Sequence, residues 1–227
     1  MKITVNLTRN TEWEDKKPYG YVAIYLNDEF YLNSFQIRKN LSNDNYFVST
    51  PGKYYTDKEG VEKSKAVIEV QKSFKGVADK IIEAYKELEE KNEKTVKLNL
   101  GDEQKPYSVK ATTYLKPEVD IKNGKIIGKA KINIDDMFTI NDVSVIRDKK
   151  QEIQILYPSY PKTNEEGIKE FKEFCNPITA DCRTKVLDAV KESVVKAEEW
   201  QKNHPKEAAK EQTESQEQNQ SQDAPVQ

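Results

Sequence analysis

The sequence predicts an α+β chain in which one unit, an antiparallel β-sheet followed by a C-terminal helix, occurs twice and is followed by a polar tail. Three observations lead there. Short stretches of alternating apolar and polar residues are divided by turn dipeptides, the signature of half-buried strands and hairpins. Two longer stretches, around 73–91 and 179–200, carry apolar residues at helical spacing, and each closes a run of strands. The chain also aligns with itself at a shift of 108 residues, which brings Leu7 onto Leu115, Ile24 onto Ile132, Asp28 onto Asp136, Phe30 onto Phe138 and Asn33 onto Asn141. The shift becomes 107 after a slip in a turn, pairing Pro51 with Pro158 and Lys65 with Lys172, and returns to 108 where Lys75 meets Arg183. The expected organisation is copy one at 1–92, a linker at 93–107, copy two at 108–200 and a disordered tail at 201–227.

In copy one, residues 3–7 alternate as a short strand. Residues 19–26 and 30–39 alternate around Asn27-Asp28, a tight-turn pair, and form a hairpin. A strand at 46–50 is stopped by Pro51-Gly52, and a long loop at 53–65 leads to a short strand at 66–70. Ser73 is the expected cap of a helix reaching about Lys91, with Val77, Ile81, Ile82, Tyr85 and Leu88 on its apolar face. Residues 89–106 are charged and turn-rich and read as helix end and linker. Copy two repeats the plan with a strand at 109–115, a hairpin of 126–134 and 138–147 across Asp135-Asp136, a strand at 152–157 and a loop at 158–171. An extended segment then ends at Pro177-Ile178, because the residue before a proline is pushed out of the α region. Thr179 and Asp181 offer N-cap oxygens to a helix with Val186, Leu187, Val190 and Val194 at helical spacing. The tail, rich in Gln, Glu, Ser and Ala, buries too little surface to offset chain entropy.

Composition narrows the function. Hydrophobic residues make up 36% and charged residues 33%, which suits a soluble chain with a modest core. No apolar run approaches 18 residues and no signal-like stretch follows Met1, so the expected location is cytoplasmic, with no membrane partner. Two cysteines, Cys175 and Cys182, and a single histidine, His204, are too few for a zinc site, and free thiols, buried or half-buried, are expected. Net charge is −2, and the two copies are neutral while the tail holds 3 basic against 5 acidic residues. This charge argues against bulk electrostatic capture of nucleic acid, so any such site is expected to be a local patch. There is no phosphate-binding loop of the Walker type, no Gly-x-Ser-x-Gly and no dinucleotide fingerprint. The adjacent acids Asp135-Asp136 and Asp28-Glu29 are explained by turn formation. No cofactor and no enzymatic activity is expected.

Binding is the better reading of the cations. The loop and helix start of copy one hold Lys53, Lys58, Lys63, Lys65, Lys72 and Lys75 with Tyr54 and Tyr55 interleaved. Copy two offers Lys162, Lys169, Lys172, Arg183 and Lys185 with Tyr157 and Tyr160. Cations among aromatics suit phosphate contact and base stacking. Arg183 and Lys185 stand in the first turn of a helix, where the macrodipole does not favour them. They are either solvated surface charges or residues that face a phosphate.

The stretch from Phe174 to Val190, together with residues 130–136, 138–146 and Ile155-Leu-Tyr-Pro-Ser159, resembles the septation protein SpoVG family of bacteria (stage V sporulation protein G). That family carries an aliphatic-Pro-Ser strand end, a Pro-Ile step, a Ser/Thr-rich turn and an Arg-x-Lys helix start. The resemblance covers about 20–88 and 129–195, so two tandem copies are expected. Copy one departs from the pattern, with Glu69-Val70 in place of Pro-Ile and Val77 where the family has lysine; copy two has Cys175-Asn176 before the proline. The resemblance implies a regulator of septation or sporulation that binds DNA and in some cases RNA, and works as a small dimer. Carried over by position, its binding residues become Lys53, Lys75 and Gly76 in copy one, and Ser159, Arg183 and Lys185 in copy two. The expected nucleic-acid site comprises Lys53, Lys63, Lys65, Lys72, Lys75, Lys162, Lys172, Arg183 and Lys185. The two copies are expected to pack through edge strands as a pseudo-dimer, with further self-association open. The competing reading is an interaction scaffold of the same fold without nucleic-acid binding, which the neutral charge and the acids beside both patches favour.

Overall fold

Alternating side chains make the first three strands amphipathic, and they pair as an antiparallel meander: β1 (Ile3–Arg9), β2 (Gly20–Leu26) and β3 (Phe30–Lys39). This computed structural model describes residues 1–12, 17–101, 105–164 and 167–205. At the β2–β3 turn, Asn27 and Asp28 adopt φ of 50° and 56°, which these residue types tolerate and a tight hairpin demands. β4 (Tyr46–Ser49) pairs with the end of β3. β5 (Gly52–Thr56) and β6 (Glu62–Ala66) form a separate arm, and β7 (Ile68–Val70) with a 3₁₀ turn (Lys72–Phe74) leads into α1 (Lys75–Glu90). β8 (Thr95–Leu100) then returns along β1.

The second half follows the same order. β9 (Val109–Ile121), β10 (Gly124–Ile134) and β11 (Phe138–Asp148) form a meander, and β12 (Ile153–Leu156) pairs with the end of β11. An arm of β13 (Ser159–Thr163) and β14 (Lys169–Glu173) precedes β15 (Cys175–Pro177) and α2 (Ala180–Asn203). Asp135 and Asp136 repeat the left-handed turn with φ of 53° and 48°. Register irregularities fall at Val22/Ile24 and at Ala130/Ile132, again 108 residues apart.

The halves exchange strands. β7 leaves its own sheet and pairs with the start of β11, Ile68 opposite Ile140. β15 does the reciprocal, pairing with the start of β3, Cys175 opposite Leu32. Each central strand thus carries the other half's short strand on its first part and its own half's neighbour on its second. The buried residues form one continuous core across both halves. Its centre is aromatic: Phe138 lies 5.3 Å from Phe74 and 6.5 Å from Phe35, and Phe30 lies 6.2 Å from Tyr157. α1 covers β1, β4 and β8, while α2 lies along β9, where buried Thr113 and Ser193 hydroxyls meet at 2.5 Å.

Several expectations need correcting. The loops expected at 53–65 and 158–171 are β-hairpin arms. Residues 95–100, expected within a linker, form β8, whose Val96, Leu98 and Leu100 pack against the core. Ser73 does not cap α1; its hydroxyl donates to the Asp136 carbonyl at 3.1 Å and ties the helix start to the other half's hairpin tip. Thr179 does cap α2, accepting from the Cys182 amide at 3.2 Å. α2 runs to Asn203, three residues into the segment expected to be disordered, and residues 206–227 lie outside the described residues. Both cysteines are free and buried, as expected. No helix among the described residues is long and apolar enough to cross a membrane.

Candidate nucleic-acid interface

The arms set the site. In the first arm Lys53 stands directly opposite Lys65, Tyr54 opposite Ser64 and Tyr55 opposite Lys63. Successive residues of a strand face opposite sides, so Lys53 and Tyr54 point away from each other. On the lysine side the arm reaches the second sheet, where Lys65 Nζ lies 3.0 Å from Asp142 Oδ1. Lys129 of β10 stands there as well, donating to Ser144 Oγ at 2.7 Å. Burial pulls its ammonium below the usual lysine range; Asp142 acts against this, while Lys53, Lys116 and Lys65 add to it. Lys65 thus meets Asp142, and Lys53, Lys65 and Lys116 stand near enough to Lys129 for their charges to act on it.

The second arm crosses to the first sheet. Ser34 Oγ donates to Tyr160 Oη at 3.4 Å, and the Tyr160 and Phe174 rings lie 4.7 Å apart. A cavity of about 650 Å³ opens here, lined by Tyr21, Asn33, Gln36, Tyr54, Tyr160 and Lys162 among others. In this arm no two lysines stand opposite each other: Lys162 faces Glu170, Lys172 faces Tyr160 and Lys169 faces Thr163. Where the first arm meets the second sheet the side chains are lysines, whereas where the second arm meets the first sheet they are aromatics and amides.

The remaining expected site residues are dispersed. Lys63 is held by Asp57 at 2.6 Å, and this contact, with the Val61 and Glu59 amides, keeps the Asp57 carboxyl below its usual range. Lys75 pairs with Asp79 at 2.7 Å, one turn along α1, and exposed Lys72 lies in the preceding 3₁₀ turn. Arg183 is exposed in the first turn of α2, where its charge opposes the burial that raises the Glu173 carboxyl. Lys185 donates to the Tyr107 carbonyl and sits 4.0 Å above its ring, which gives it a structural task. Only Lys53 and Lys65 of the expected set enter the cluster, and Lys116 and Lys129 are additions that sequence reasoning missed. A lysine inside the apolar run Ile126–Ala130 was the available signal, since a charge on a central strand demands a reason.

The second half has a counterpart among known families. Residues 115–195 match the SpoVG family. The SpoVG-like segment runs from the middle of β9 through most of α2, and takes in the second arm, Arg183, Lys185 and the Asp142–Lys129 face. No curated protein and no solved structure matches the chain. Among the described residues no group of three or more His, Cys, Asp or Glu side chains could hold a metal ion.

Proposed function

We propose that this chain is a non-enzymatic, SpoVG-like regulator that binds nucleic acid through its phosphates, built from two fused family domains packed as an intramolecular pseudo-dimer and acting in septation or sporulation control. The SpoVG match of the second half supports the regulatory part, and the matched element order, turns and reciprocal strands support the tandem part. The observation that carries the binding part is the Lys53–Lys65–Lys116–Lys129 cluster. Like charges directly opposite on paired strands are unfavourable, and a half-buried lysine is disfavoured as well. A polyanion laid across this face would offset both costs and release its own counterions.

Binding of mixed short DNA and RNA, followed by fluorescence anisotropy over a salt series, tests this. The Lys53→Gln plus Lys65→Gln variant should show a log–log salt slope shallower by about one per lysine that contacts a phosphate. Arg183→Ala plus Lys185→Ala reports on the helix start in the same way. Absence of binding at low salt would favour an interaction scaffold, a reading that exposed Phe171 and Ile168 on the second arm support.

A further inference from the structure

We propose that the cleft between the two arms over the first sheet is a base-binding subsite, taking an unpaired nucleobase of a single-stranded nucleic acid. The inference rests on the nucleic-acid reading above and adds what is read beyond phosphate. A cavity of about 650 Å³ is of the size that takes small flat ligands, and its wall mixes aromatic rings (Tyr21, Tyr54, Tyr160) with amides and hydroxyls (Asn33, Gln36, Ser49). Tyr54 and Tyr21 are large exposed aromatics at 76% and 46% of full exposure, and Tyr160 faces the same space from the other arm. Aromatic faces stack on any base, while amides read base edges.

The comparison of Asn33 with Asn141 singles out the amide. Both lie at the same place on their central strands, and both donate the backbone N–H to the crossing chain at 2.8 Å, Asn33 to Phe174 and Asn141 to Val67. The Asn141 side chain is consumed internally: Nδ2 donates to the Ala66 carbonyl at 3.1 Å and to Glu69 Oε1 at 2.9 Å. At the first sheet the residue matching Glu69 is Asn176 of the crossing strand β15, and among the described residues the Asn33 amide makes no side-chain hydrogen bond and lines the cavity. Gln36 stands nearby, its Oε1 accepting from Arg38 at 2.9 Å, which leaves its NH₂ to donate. Lys162 supplies a cation at the rim for the adjoining phosphate. A duplex hides its base faces by stacking and its Watson–Crick edges by pairing, so the arrangement suits a single strand.

The test uses the full chain with three probes of equal length: a mixed-sequence 12-mer single strand, the same strand with every base replaced by an abasic spacer, and the matching duplex. The intact protein should bind the base-bearing strand at least tenfold more tightly than the abasic strand. Tyr54→Ala plus Asn33→Ala should weaken the base-bearing strand roughly tenfold or more and leave the abasic strand and the salt slope unchanged. Equal binding of the abasic and base-bearing strands by the intact protein would overturn the subsite, as would equal losses on both in the variant. Displacement by free nucleoside monophosphate at the same nucleotide concentration would overturn the single-strand assignment. Should none of the probes bind at low salt, the nucleic-acid reading falls with it. Should Lys53→Gln plus Lys65→Gln alone matter, phosphate contact stands and base reading falls.

Discussion

Ser34 and Asp142 hold the same backbone kink, with φ of 67° and 59°, at the point where each central strand passes from the other half's short strand to its own neighbour. A left-handed residue costs an ordinary side chain roughly 1–2 kcal/mol. Ser34→Gly should therefore leave stability unchanged or raise it by up to about 1 kcal/mol, while Ser34→Val should lower it by about 2 kcal/mol, because a β-branched residue resists that region. Urea midpoints decide this. Equal tolerance of Gly and Val would mean that the kink is not needed for the exchange.

The exchanged strands make each half incomplete. Ile68 and Cys175 are fully buried under the other half's central strand, and the core runs without a break between them. Expressed separately, residues 1–104 and 105–227 should be poorly folded or self-associated, and mixing them should give a one-to-one complex with the helicity of the full chain. Sedimentation and circular dichroism read the result. A folded, monomeric half with its own cooperative transition would show that the reciprocal strands are dispensable.

Cys175 gives the fold an alkaline limit. Burial raises its thiol far above the ordinary range, with Glu173 adding to the shift. Below the unfolded thiol value of about 8.5 both states keep the proton and stability is flat. Above it the unfolded chain ionises first, so stability falls as pH rises, by up to about 1.4 kcal/mol per pH unit for this one thiol. The raised hydroxyls of Tyr107 and Tyr157, both shifted mainly by burial, extend the decline above about pH 10. Denaturant titrations from pH 8 to 10 should show a shallower decline in Cys175→Ala, whatever its absolute stability. Parallel slopes would assign the decline to other groups.

The legible parts of the sequence were those where local chemistry suffices. Asn27-Asp28 and Asp135-Asp136 declare tight turns and Thr179 declares a cap, whereas the exchange of β7 and β15 between the sheets has no local sign in the sequence. The arms were hidden because a strand is recognised by one buried face, and β6, as Glu-Lys-Ser-Lys-Ala, buries almost nothing. β8 does alternate, as Thr-Val-Lys-Leu-Asn-Leu, but the charged run before it and the turn after it made a linker the simpler reading. The lysine cluster was out of reach for a different reason: Lys53 and Lys65 come near Lys129 only because the first arm crosses to the second sheet, which no local pattern encodes.

The opposed pair Lys53 and Lys65 separates stability from binding. Lys53→Glu replaces a like-charged cross-strand pair with an opposite one, so the variant should gain about 0.2–1 kcal/mol by urea midpoint at low salt. The same change brings a carboxylate to the face that would meet phosphates, so affinity for nucleic acid should fall at least tenfold and the salt slope should become shallower. The two readouts move in opposite directions only if the repulsion is kept for a ligand. A variant that becomes both more stable and no weaker in binding would leave the lysine pair without a function, and the phosphate face would have to be sought around Arg183 at the start of α2.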